Sequence, residues 1–162
     1  MTPEQAIAFI IEDEGGYVDH PNDPGGETKY GISKRSYPDV DIKNLTVEQA
    51  TEIYKRDFWD KLHVTLLPAH VQYLYADMAV NHGPRNAARI LQRAAGVTDD
   101  GIVGPVTRKA AASAGILDIC HQRMLFFSAI VANRTTQAVF LRGWTNRNFK
   151  VTARAFARFG YK

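Results

Sequence analysis

The sequence predicts a mainly α fold with one small β-hairpin or loop element near the N-terminus. Three observations carry this. Two capping boxes open helices, Thr2-Pro3-Glu4-Gln5 and Thr46-Val47-Glu48-Gln49. Apolar residues recur three and four apart along most of the chain. Turn-forming residues are concentrated in one early stretch, 17–33. The 162 residues, 45% hydrophobic and 23% charged, suit one compact domain, and no repeat or linker divides them.

In the first helix Pro3 takes the first helical position. Ile7, Ile10, Ile11 and Glu14 then fall on one stripe, and Gly15-Gly16 stops the helix. Glu14 therefore ends an apolar stripe between core and surface. Stretch 17–33 reads as an irregular hairpin with short strands at 17–18 and 30–33. The second capping box opens a helix to about Trp59, with Val47, Ala50, Ile53 and Tyr54 inward. Pro68 starts another to about Asn81, which His82-Gly83-Pro84 breaks. Further helices are expected over 85–95 and 105–114, separated by a turn-rich connection with Asp100, Gly101 and Gly104. There Gly101 and Gly104 allow a tight turn, and Asp100 and Thr107 are read as caps. The apolar helix 117–133 is expected to be central. The last helix, 147–159, has Arg147, Lys150, Arg154 and Arg158 on one face and Phe149 and Phe156 on another.

Charge is uneven. Residues 1–60 carry 13 acids and 6 bases, while 61–162 carry 4 acids and 14 bases. A basic C-terminal helix suits an anionic surface such as an outer membrane, or is a solvated face. No nucleic-acid motif is present, and the acidic N-terminal third would repel phosphate. The single cysteine, Cys120, reads as a buried inert thiol. The five histidines lack metal-ligand spacing, so neither metal nor cofactor is expected. The N-terminus has no signal-peptide pattern and no stretch is long enough to span a membrane. Synthesis in the cytoplasm is therefore expected, followed by release to an outer site.

Glycoside hydrolysis commonly needs one carboxyl that holds a proton and a second that stays ionised. Desolvation favours the protonated form, which suits Glu14. A wet turn rich in backbone N–H groups favours the anion, which suits Asp23. Spacing alone leaves the alternative open, since helix-end glutamates are common and turn acids often bond their own backbone.

The string Glu14-Gly15-Gly16-Tyr17, followed by Asn22-Asp23-Pro24-Gly25-Gly26-Glu27-Thr28-Lys29-Tyr30-Gly31-Ile32, resembles the signature of glycoside hydrolase family 108, phage and prophage endolysins and related muramidases. Residues 77–113, with Asp77…Asn81-His82-Gly83-Pro84 and Asp100-Gly101-Ile102-Val103-Gly104-Pro105-Val106-Thr107, resemble the peptidoglycan-binding-like region that accompanies it. Together the resemblances cover roughly residues 4–160. They imply a lysozyme-like helical domain, with segment 1–83 catalytic and 84–162 packed on it. The implied reaction is hydrolysis of the β-1,4 bond between N-acetylmuramic acid and N-acetylglucosamine, with Glu14 as the acid. Similarity to the phage-type lysozyme triad implies that Asp23 stabilises the cationic centre or positions water and that Thr28 orients it. Tyr30, Asp77 and Asn81 are candidate substrate contacts; packing of the hairpin by Tyr30, and a helix–loop tie by Asp77 and Asn81, are the alternatives. The implied partner is peptidoglycan, met by a monomer after holin-dependent release. A lytic transglycosylase and a non-catalytic wall-binding protein are the rival readings.

Overall fold

The computed structural model describes residues 1–19 and 26–160. The chain divides into two compact units, residues 2–61 and residues 62 onward.

In the first unit, α1 (Pro3–Glu14) starts at the Thr2 capping box, with both reciprocal hydrogen bonds formed, and buries Ala6, Ile7, Ile10 and Ile11. It ends at Gly15, whose φ is +82°. Strands β1 (Thr28–Lys29) and β2 (Ile32–Ser33) pair antiparallel. Val18 bridges Thr28 through two 2.8 Å backbone hydrogen bonds. The expected strand at 30–33 is thus corrected: Tyr30 and Gly31 are the turn, both with positive φ, as in the type I′ hairpin that matches strand twist. Helix α2 (Val47–Tyr54) opens at its own capping box. The helical path then widens to π geometry over Lys55–Asp60, which buries Trp59.

The second unit is helical: α3 (Ala69–His82), α4 (Pro84–Ala94), α5 (Pro105–Ala110), α6 (Ile116–Asn133) and α7 (Ala138–Phe159). Its central helix is α3, not the 117–133 helix. A continuous run from Tyr73 to Ala79 is buried in α3, because α4, α6 and α7 all pack against it. Helix α6 buries only one stripe, leaving Leu117 and Leu125 exposed. Helix α7 begins nine residues earlier than expected. Its buried stripe is Asn148, Val151, Thr152 and Ala155, whereas Phe149 is exposed. Cys120 is buried and free, with Asn148 Nδ2 3.2 Å from its Sγ.

Asp77 also departs from expectation. Its side chain is fully buried and meets Arg123 Nη1 at 2.7 Å and Arg147 Nη2 at 2.8 Å. It is an internal ionic joint among α3, α6 and α7, not a surface available to a sugar. A buried charge of this kind persists only when paired, and the sequence spacing carried no sign of partners 46 and 70 residues away. Asn81, an exposed residue, donates from Nδ2 to the Asp77 carbonyl at 2.8 Å. Arg123 also donates through Nε to His82 Nε2 at 2.9 Å. Arg147, one of the bases expected on a solvated face, is committed inward.

Burial opposes ionisation of Asp77, but the Arg123 and Arg147 guanidiniums outweigh it and hold the carboxyl below its ordinary range. Burial, then the Arg123 charge, lower His82 from 6.5 to about 3. The unfolded chain therefore takes up a proton on His82 that the folded chain refuses. Stability falls as pH drops from 6.5 toward about 3. The Asp77 contribution is present above its unfolded pKa and is lost at the acid end of the range. His82→Gln keeps an acceptor for Arg123 but cannot titrate. Thermal melts should lose stability between neutral pH and about pH 4 in the wild type, on the order of 3 kcal/mol, and less steeply in this variant. Parallel pH profiles would contradict the assignment.

Candidate active site

Glu14, at the end of α1, and Thr28 and Tyr30, in the hairpin, all lie in the first unit. Glu14 is the last residue of α1, so its side chain sits where the helix gives way to Gly15-Gly16. It is half-buried, with Oε1 out of solvent. The hairpin turn lies directly against it. A methyl group placed on Gly31 would fall 2.9 Å from both Glu14 Cγ and Glu14 Oε2, and 2.6 Å from Tyr54 Oη. With φ at +76° as well, only glycine fits there without strain.

Tyr54 completes this cradle. It is 3% exposed, and its hydroxyl donates to the Tyr30 carbonyl at 2.8 Å. That bond holds Tyr30 in the left-handed region at φ +53°, a conformation costing a non-glycine residue roughly 1–2 kcal/mol. Strain of this kind persists where surrounding structure enforces it, and often at functional sites. Tyr54 looked like an ordinary core position at helical spacing, and nothing in the sequence separated it from Ala50 or Ile53.

Thr28 occupies the first position of β1 opposite Ser33. It is half-buried, and its hydroxyl lies 3.4 Å from the Gly26 carbonyl. Tyr30 is also half-buried, with Lys29 Nζ 5.5 Å from its ring centre. Tyr17, from the Glu-Gly-Gly-Tyr string, donates its hydroxyl to Glu27 Oε2 at 3.1 Å. Desolvation, then the Glu27 contact, raise its phenol pKa. Asp23 lies outside the described residues. Asp77 and Asn81 belong to the second unit. Among the described residues no cluster of acidic, histidine or cysteine side chains could hold a metal ion.

Residues 7–83 match the family described as Glycosyl hydrolase 108, and residues 86–149 match a Predicted Peptidoglycan domain. The fold is similar to that of SagA from Brucella abortus, at 34% identity and a TM-score of 0.78, over 99% of this chain and 96% of SagA. The chain belongs to glycosyl hydrolase family 108. No curated protein matches it in sequence. Family membership and the peptidoglycan domain make this a glycoside hydrolase of peptidoglycan. The Glu14–Gly31–Tyr54 cradle falls wholly inside the span of the hydrolase match. No described helix of this family 108 chain is long and apolar enough to cross a membrane.

The cradle predicts a graded response. Tyr54→Phe removes one hydrogen bond to a strained turn and should cost about 1 kcal/mol in denaturant unfolding. Gly31→Ala adds a clash and a strained φ and should cost more, about 2–3 kcal/mol. Both should slow clearing of purified cell walls, the alanine more severely. Wild-type stability and activity in Gly31→Ala would refute the close approach.

Proposed function

We propose that this protein is a muramidase of the endolysin type. It cleaves the β-1,4 bond between N-acetylmuramic acid and N-acetylglucosamine, with Glu14 donating the proton to the leaving oxygen. The observation that carries the reading is the setting of Glu14: a helix-end carboxyl, one oxygen out of water, within the Glu-Gly-Gly-Tyr string of the hydrolase segment. Withdrawing a carboxyl from water favours its protonated form, which is the form a general acid needs.

Glycosidic cleavage through an oxocarbenium-like transition state also needs a group that stabilises the cation or activates water. In this reading Asp23 takes that role, and Thr28, at the start of the hairpin, orients the water. The hairpin follows α1 closely in sequence, and Thr28, Tyr30 and Gly31 lie within four residues of one another. Tyr30, fixed at the turn, contributes a ring face or hydroxyl to the sugar.

Product chemistry tests this directly. Purified peptidoglycan digested by the protein should yield muropeptides ending in reducing N-acetylmuramic acid, each carrying one added water by mass spectrometry. Products with only 1,6-anhydro ends would establish a lytic transglycosylase instead. Reducing N-acetylglucosamine ends would put the cut at the other glycosidic bond.

A further inference from the structure

The second unit holds a cavity of about 560 Å³, within the size range of small-ligand sites. Its lining joins two chemistries. Arg85 and Arg108 supply cationic groups, and Leu62, Pro84, Ile102 and Val103 supply apolar surface.

The rim is rigidly built. Gln92, 1% exposed, donates through Nε2 to Asp100 Oδ1 at 2.7 Å, to the Ile102 carbonyl at 3.0 Å and to Thr107 Oγ1 at 3.1 Å. Its Oε1 accepts from the Gly101 amide at 2.9 Å. Asp100 Oδ1 also accepts from the Ile102 amide at 2.8 Å. The string read from sequence as a capped turn is therefore organised around one buried glutamine. Gly101, at φ +83°, leaves room for Arg85 to cross it; a methyl group there would lie 2.7 Å from Arg85 Cγ.

Charge selects the ligand. Asp100, the acid of the lining, is engaged by Gln92 and the Ile102 amide, so it is turned to holding the loop. Neither Arg85 nor Arg108 has an ion pair among the described residues. Arg108 Nε is buried and has no hydrogen-bond partner among the described residues. Two guanidiniums beside an apolar wall suit carboxylates joined by short alkyl groups. A bare sugar is a poorer fit, because the tyrosine of the lining, Tyr75, is only 2% exposed and offers almost no ring face.

We infer that this cavity binds the peptide stem of peptidoglycan through the stem's free carboxylates, with Arg85 and Arg108 as the anion-holding pair. This rests on the reading of the chain as a peptidoglycan hydrolase and assigns the second unit to the peptide part of that polymer.

The test is isothermal titration of the full chain with a synthetic stem tetrapeptide, L-Ala-γ-D-Glu-L-Lys-D-Ala, as the free acid and as its bis-amide. The Glu14→Gln variant should bind the free acid as the wild type does, so failure of the catalytic reading and failure of this one are separable. Arg85→Gln and Arg108→Gln should each weaken binding at least tenfold, as should amidation. Ile102→Glu, at a position 70% exposed and so tolerant of change, should do the same by placing a like charge at the rim. The inference is overturned if the free acid does not bind at millimolar concentration. It is equally overturned if the bis-amide binds as well, or if the folded variants bind unchanged.

Discussion

The first unit depends on one close approach, the hairpin turn at Gly31 against the end of α1. Glu14 stands where a helix stops, and helix ends are places where side chains and backbone are free to move. The turn removes that freedom by packing against Glu14 Cγ and Oε2, and the Tyr54 hydroxyl holds the turn through the Tyr30 carbonyl. The role proposed for Glu14 needs such support, because a reacting group must be held to fractions of an ångström. The support has a conformational cost, visible in Tyr30 at φ +53°. A glycine and a buried tyrosine hydroxyl thus place the Glu14 carboxyl without any chemistry of their own.

The second unit solves a different problem. Its central helix α3 carries a carboxylate in the middle of a buried run. Asp77 is tolerable there only because α6 and α7 each deliver an arginine to it. His82 then accepts from Arg123 and packs edge-on to Phe127, with ring centres 5.2 Å apart. Phe127 in turn stacks on Trp144 of α7 at 5.3 Å. Buried ion pairs contribute little net stability compared with apolar packing. Three helices meeting on one carboxylate are, however, a specific arrangement that a greasy contact would not define.

Local signals in the sequence were strong where local chemistry decides. Both capping boxes form as read, and Gly15-Gly16 ends α1 at Glu14. The hairpin was expected, but its register turned on which two residues take positive φ. Tyrosine is an unusual choice for that, so the turn was placed wrongly. Residues 138–146 contain Gly143 and end in Thr145 and Asn146, residue types that usually cap a helix start, so the local pattern points to a start near 147 and not at 138. Stacking of Trp144 on Phe127 supplies what propensity does not. Phe149 is large and apolar and stands on a face apart from the bases, yet the inward face belongs to smaller residues, Val151 and Ala155. Asp77 could not be read at all, because its meaning lies in partners distant in sequence. Glu14 stood out through its motif, whereas Tyr54, which helps to place it, did not.

Glu14 is the proposed proton donor, and Gly31 and Tyr54 hold it in place. The most direct measurement is the initial rate at which Glu14→Gln clears purified cell walls, with its thermal midpoint recorded alongside. Glutamine preserves size and hydrogen bonding but has no acidic proton to give. The expected result is a fall of at least about 100-fold in a protein that melts near the wild-type temperature. Clearing within a few-fold of the wild type, from an equally stable variant, would contradict it.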